Sequence, residues 1–263
     1  MSAPLSAPLN STLSTAVNTN VSTPVSTPVQ TAAYETRRGQ IEDYFDRTAV
    51  KAWEQLTSTA PVGRIRSTVR AGRDRMRATL LGYLGHDLTG LRILDAGSGT
   101  GALAIEAARR GAQVVAIDLS PQLVDVARQR ALELPDGTEL ATRIAWRSGD
   151  MLDPSLGHFD HVVAMDSLIH YDEADMVRVI SAWSQRTQGT MLLTFAPRTP
   201  LLAAMRSVGR LFPRNNRAPW IEPVAQASLH RRLTTAVPAF AIGRTMRVAS
   251  GFYTSQALEL RRT

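Results

Sequence analysis

Leu94-Asp95-Ala96-Gly97-Ser98-Gly99-Thr100-Gly101-Ala102-Leu103 decides the fold of this chain. The run follows a short apolar stretch and opens a helix-like pattern. It places a carboxylate and three alternate glycines at a strand-to-helix turn, which suits a charged nucleoside ligand better than a core. Further on, Val114-Val115-Ala116-Ile117 ends in Asp118. An acid at the end of a second strand can hold the two hydroxyls of a ribose.

Gly97, Gly99 and Ala102 also satisfy the G-x-G-x-x-A turn of nicotinamide-binding sheets. Three features favour S-adenosylmethionine instead. Asp95 stands where a carboxylate can meet the ammonium of methionine. Gly101 adds a third alternate glycine. Ser148-Gly149-Asp150-Met151 follows the third strand, where an acid can meet the adenine amino group. Each acid alone also suits a turn or a helix cap. Their recurrence at three successive strand ends is harder to obtain from turns. The predicted cofactor set is Asp95, Gly97, Ser98, Gly99, Thr100, Gly101, Asp118, Leu119, Ser120, Gly149, Asp150, Met151 and Asp166.

Around this motif the chain alternates strand and helix. Strands are predicted at 92–95, 113–118, 143–148, 159–165 and 191–195, with helices at 102–110 and 173–185. Such alternation with short connections predicts an α/β fold with a parallel sheet covered on both faces. The regularity breaks over 197–225, a stretch with several prolines, Trp220 and Pro213-Arg214-Asn215-Asn216-Arg217. An insertion after strand five lies at the carboxyl end of the sheet, where a substrate lid belongs. A helix at 228–235 and strands at 240–249 and 252–260, joined by Ser250-Gly251, predict a closing antiparallel hairpin.

The 263 residues suit one sizeable domain with additions. Residues 1–33 repeat Ser-Ala-Pro-Leu and Val-Ser-Thr-Pro without a charged or aromatic side chain, which predicts a disordered tail. Residues 34–90 read as a helical arm, with Ile41, Tyr44, Phe45, Ala52, Trp53 and Leu56 on a first helix. A second helix carries Ile65, Val69, Met76, Leu80, Tyr83 and Leu84. Its other face carries Arg66, Arg70, Arg73 and Arg77, either a solvated face or a face that meets an anion or a membrane. Residues 91–263 form the catalytic domain.

The net charge is +7, and Lys51 is the only lysine among 30 basic residues. Arginine pairs bidentately with carboxylates and phosphates, so an acidic partner is one reading and coding bias the other. The chain has no cysteine, which excludes thiolate metal sites and a cysteine nucleophile. No apolar run approaches the roughly 18 residues of a membrane span, and no signal peptide is present, so a cytoplasmic location is expected. No metal-ligand constellation stands out. A nucleic-acid-binding protein is the reading that the basic balance prompts from another class, but no basic patch interleaved with aromatics supports it.

The fourth strand ends in Ala164-Met165-Asp166-Ser167-Leu168-Ile169-His170-Tyr171, beside the place of a methyl donor. His170 could orient or deprotonate an acceptor there, or simply cap the strand. His86, His158 and His161 read as loop or surface residues.

Taken together, the motifs resemble the magnesium-protoporphyrin IX O-methyltransferases of bacteriochlorophyll synthesis, in their purple-bacterial branch. The carriers are Tyr44-Phe45-Asp46-Arg47-Thr48-Ala49 with Trp53, Arg64-Ile65-Arg66 through Val69-Arg70-Ala71-Gly72-Arg73, Leu94 to Gly101, and Met165 to Tyr171. Phe195-Ala196-Pro197-Arg198-Thr199-Pro200-Leu201-Leu202 and Gly209-Arg210-Leu211-Phe212-Pro213-Arg214 complete them. The resemblance covers residues 38–263.

It implies a class I methyltransferase (Rossmann-like) fold with seven strands, and methyl transfer to one propionate of a magnesium porphyrin, giving the monomethyl ester. It implies His170 as the catalytic residue and magnesium carried by the substrate, not the protein. Trp53, Met205, Phe212 and Trp220 are candidate walls for the macrocycle, and Arg70 and Arg198 candidate partners of its carboxylates. Some relatives carry a tyrosine near Thr57. Threonine has no phenol, which leaves Tyr34, Tyr44 or Tyr171 in that role, or a reaction that needs no tyrosine. So apolar a substrate suggests handover from magnesium chelatase or from an anionic membrane surface, hence peripheral contact with a photosynthetic membrane. A methyltransferase for another apolar intermediate, such as a quinone precursor, is the alternative.

Overall fold

The computed structural model describes residues 32–44, 63–198 and 221–263. Seven strands form one sheet: β1 Arg92–Ala96, β2 Gln113–Asp118, β3 Ile144–Ser148, β4 Phe159–Ala164, β5 Thr187–Phe195, β6 Phe240–Ser250 and β7 Tyr253–Arg262. Their order is β3-β2-β1-β4-β5-β7-β6. The first five are parallel, and β7 runs antiparallel to both β5 and β6. The helices are α1 Ala32–Tyr44, α2 Arg64–Leu84, α3 Ala102–Arg109, α4 Pro121–Leu132, α5 Gly137–Arg143, α6 Glu173–Ser184 and α7 Gln226–Ala236.

The central strands are near-continuous apolar runs because both of their faces are covered. Successive residues alternate between two cores, as a period of two requires. Leu94, Val115, Val162 and Leu193 pack with Tyr34 and Ile41 of α1, Val179 of α6 and Leu229 of α7. Ile93, Val114, Val163 and Leu192 pack with Met76 and Leu80 of α2 and Leu103 and Ala107 of α3. Ser120 caps α4, its hydroxyl accepting from the Leu123 amide at 3.2 Å, with Pro121 in the first turn.

Several expectations are corrected. Ile65 does not join the apolar face of α2 but is 59% exposed. The hairpin turn is Gly251-Phe252, one residue later than expected. α5 was not foreseen. His161 lies half-buried within β4, where Nδ1 accepts from the Thr190 amide at 3.1 Å. The predicted tail lies outside the described residues except for Ala32 and Ala33, which open α1. The core of the predicted lid, 199–220, also lies outside them. Its two ends meet, since Pro197 and Val224 form a parallel bridge.

Because β1 to β4 are parallel neighbours, Asp95, Asp118, Asp150 and Asp166 all gather at the carboxyl end of the sheet. That is where ligands bind in open α/β folds.

Candidate functional site: a cofactor cradle beneath helix α1

The loop after β1 is pinned to β2. The amides of Gly97 and Ser98 both donate to the Ile117 carbonyl, at 2.8 and 2.9 Å. The Gly99 amide donates to Asp118 Oδ2 at 2.8 Å, and the Ser120 amide to Oδ1 at 3.1 Å. Gly97 has φ +79°, and a Cβ there would overlap the Cβ of Ser167. Gly101 has φ +80°, and a Cβ there would strike the Trp146 ring. Both positions therefore need glycine for conformation and for space.

The four acids have different surroundings. Asp95 is 2% exposed and its Oδ2 has no hydrogen-bond partner among the described residues. Ser98 Oγ and Ser167 Oγ are likewise buried without a partner. Such orphaned groups are rare unless a ligand satisfies them. A carboxylate and two hydroxyls around one glycine loop fit the ammonium and carboxylate of a methionine moiety. Asp118 keeps acceptor capacity for ribose hydroxyls. The Gly149 amide closes the neighbouring turn by donating to the Asp118 carbonyl at 2.9 Å.

Asp150 is engaged by α1: Oδ1 accepts from the Tyr34 hydroxyl at 3.2 Å and from the Leu152 amide at 2.8 Å, and Oδ2 from Arg38 at 2.7 Å. Met151 uses its carbonyl for Trp183 and Arg186. Thr100 is buried, and Leu119 packs against the core. The Asp166 carboxylate accepts from Arg73, Thr194, Tyr253 and Ser255. Both of its oxygens are thus occupied by protein groups, unlike Asp95 Oδ2.

Burial, and then the nearby Asp118 carboxylate, raise the Asp95 pKa to about 7. Burial also pushes Asp118 up. The folded state then binds more protons than the unfolded state between the usual carboxylate range and about pH 7. The stability of the free protein accordingly falls as pH rises through that window. A cationic ligand favours the ionised carboxylate. S-adenosylmethionine affinity measured by calorimetry should therefore drop as pH falls below about 7, by at most about tenfold per unit. Asp95→Asn should flatten that slope, and a slope unchanged in this variant would contradict the assignment.

His170 is 9% exposed and closes a single 3-10 turn, Leu168–His170, directly after β4. The turn is held by the Tyr171 amide donating to the Leu168 carbonyl and by the Glu222 amide donating to the Ile169 carbonyl, at 3.1 and 2.8 Å. The Tyr171 ring stacks on Tyr34 of α1, with centroids 5.4 Å apart. Burial raises the pKa of both phenols, so both stay protonated at neutral pH. α1 thus closes over the Asp150 side of the cradle and touches the residue next to His170. No local sequence signal marks Tyr34 and Arg38 as its means, because their partners lie more than a hundred positions away.

Of the predicted substrate contacts, Trp53, Met205, Phe212 and Trp220 lie outside the described residues. Tyr44 is half-buried at the end of α1, and Thr57 lies outside. Arg70 is half-buried on α2, and Arg198 is exposed just after β5, its amide donating to the Val224 carbonyl at 2.9 Å. The arginine stripe of α2 is not uniformly solvated: Arg73 pairs with the buried Asp166 at 2.7 Å, whereas Arg77 makes an exposed pair with Asp74 at 2.8 Å.

Residues 164–262 match the family model of the magnesium-protoporphyrin IX methyltransferase C-terminus, and residues 93–188 that of a methyltransferase domain. The magnesium-protoporphyrin O-methyltransferase of Rhodobacter capsulatus is 48% identical over 229 residues, 87% of this chain and 98% of that one. The Synechocystis enzyme of the same name is 28% identical over 83% of this chain and 94% of its own. Its crystal structure with bound S-adenosylhomocysteine superposes with a TM-score of 0.75 over 86% of this chain and all of that one. The sheet, the acid-lined cradle and a relative matched over 98% of its own length agree: the chain belongs to the magnesium-protoporphyrin O-methyltransferase family, with the class I S-adenosylmethionine-dependent fold.

Proposed function

We propose that this enzyme transfers the methyl group of S-adenosylmethionine to one propionate of magnesium-protoporphyrin IX, giving the monomethyl ester in (bacterio)chlorophyll biosynthesis. The observation that carries the reading is the cluster of buried polar atoms without a partner among the described residues, Asp95 Oδ2, Ser98 Oγ and Ser167 Oγ, at the glycine loop of a family member. The bound cofactor supplies an electrophilic methyl on a sulfonium. Asp95 and the loop hydroxyls hold its methionine end, and Asp118 its ribose. Asp150 lies at its adenine end, with Arg38 and Tyr34 fixing the carboxylate.

A propionate with a pKa near 4.3 is already ionised at neutral pH, so no strong base is needed. The chain's task is to hold that oxygen in line with the methyl and to exclude water, which favours a charge-cancelling transfer. His170 orients the carboxylate by a hydrogen bond. Arg70 and Arg198 pair with the porphyrin's carboxylates, and Trp53, Met205, Phe212 and Trp220 wall the ring. Magnesium arrives with the substrate. Binding is tested by titrating the porphyrin absorbance. Magnesium-protoporphyrin should shift on mixing and its dimethyl ester should bind at least about tenfold more weakly. Equal binding of the two would remove the carboxylates from recognition.

We propose that the enzyme receives this substrate from magnesium chelatase or from an anionic lipid surface. No helix among the described residues is long and apolar enough to cross a membrane. Peripheral contact is supported by two exposed apolar residues, Ile65 and Phe252, each 59% exposed. The Gly251-Phe252 turn packs on Thr68 of α2, one turn from Ile65 and its neighbours Arg64 and Arg66. This tip lies at the carboxyl end of the sheet, on the side of the cradle. Apolar residues ringed by cations suit an anionic bilayer. Ile65→Ser with Phe252→Ser should lower sedimentation with phosphatidylglycerol vesicles at least about threefold, and added salt should lower it further. Unchanged binding would leave the tip a solvated surface.

A further inference from the structure

Asp166 is the one non-glycine residue with positive φ among the described residues, at +56°. Aspartate tolerates this left-handed backbone better than most residues, but it is still a strained choice at the end of a strand. The strain is held from three elements. The Asp166 amide donates to Thr194 Oγ1 of β5 at 2.7 Å, and the same hydroxyl donates back to Oδ1 at 3.1 Å. Tyr253 of β7 donates to both oxygens at 3.1 Å, and Ser255 to Oδ1 at 3.2 Å. Arg73 of α2 completes the set at 2.7 Å to Oδ2. Burial, and then the Asp166 charge, keep the Tyr253 phenol protonated and so able to donate.

This backbone reversal decides where the next four residues run. Ser167 fills the space that a Cβ at Gly97 would take, so the chain leaving Asp166 leans on the glycine loop. Leu168–His170 then winds its single turn, pinned at its far side by the Glu222 amide on the Ile169 carbonyl. We propose that Asp166 is a positioning residue for the methyl-transfer site: clamped by Arg73, Tyr253, Ser255 and Thr194, it sets the turn that carries His170. The network links the second helix of the arm, the closing hairpin and the catalytic turn through one carboxylate. The inference rests on the reading of His170 as the substrate-orienting residue.

The glycine loop keeps its own bonds to Ile117 and Asp118, so cofactor affinity should be spared while the chemical step is not. The test compares Asp166→Asn, Arg73→Met, their double variant and His170→Ala. For each it measures S-adenosylmethionine affinity by calorimetry, the Tm, and kcat with magnesium-protoporphyrin at saturating cofactor. Asp166→Asn should lower kcat at least about tenfold and change cofactor affinity less than about threefold. The double variant should lose less than the two single variants combined, because the two changes share the Arg73–Asp166 contact. Should Asp166→Asn fail to fold, Asp166→Gly, which keeps the left-handed backbone, and Tyr253→Phe replace it and should show the same split. A lowered Tm with kcat within twofold would overturn the proposal in favour of simple stabilisation. Loss of cofactor binding in a folded Asp166 variant would overturn it in favour of a ligand role. Unimpaired turnover in His170→Ala would instead overturn the reading of the histidine, and the inference with it.

Discussion

Valine in place of Gly97 is expected to abolish S-adenosylmethionine binding. Gly97 adopts φ +79°, a region that a β-branched side chain enters only at a cost of about 1–3 kcal/mol. The added atoms would also overlap Ser167, and no flexible chain end stands there to yield. The loop must then move off the Ile117 carbonyl, carrying with it the Gly99 amide that orients Asp118. Affinity should fall more than about 100-fold, equivalent to about 2.7 kcal/mol. Calorimetry checks it, with circular dichroism to establish that the variant is folded. A folded Gly97→Val protein that binds the cofactor normally would remove the glycine loop from the binding site.

His170→Ala is expected to act on the other half of the reaction. The histidine follows β4, next to the loop that would hold the methyl donor, and is read as a partner of the acceptor rather than of the cofactor. Turnover should fall at least about 100-fold, while S-adenosylmethionine affinity stays within about twofold, or about 0.4 kcal/mol. This split distinguishes an orienting group in the reaction from a histidine that only caps a strand, whose loss would lower Tm and leave kcat alone. Turnover within twofold of the parent would assign His170 to the second role.

The parallel strands were legible because burial on both faces leaves apolar runs such as Val114 to Ile117 and Met191 to Leu193. Asp95, Asp118 and Asp166 were legible because each closes such a run, and Asp150 because it follows a glycine just past the third strand. Their different duties were not. Asp95, Asp118, Asp150 and Asp166 look alike as strand-end carboxylates, yet one keeps an oxygen without a partner among the described residues, one is held by loop amides and two are ion-paired to arginines. Those arginines lie 112 and 93 positions away from Asp150 and Asp166, beyond any local pattern. The same distance hid the role of α1. Tyr34 and Arg38 read as the beginning of a helical arm, and only packing on Tyr171 and Asp150 makes them part of the cradle. Ile65 misled for a related reason. Helical spacing put it on the buried face, but residues 64–67 at the start of α2 are all exposed. α5 escaped notice because seven residues with one buried leucine carry too little periodicity to separate from a loop.

The most direct measurement is incubation of the full chain with magnesium-protoporphyrin IX and S-adenosylmethionine labelled in its methyl group, followed by isolation of the porphyrin. One labelled methyl per macrocycle, released by mild alkaline hydrolysis as expected of an ester, with S-adenosylhomocysteine formed in equal amount, is the predicted result. Label that stays in the aqueous phase, or that transfers to a quinone precursor while the porphyrin remains unlabelled, would contradict it.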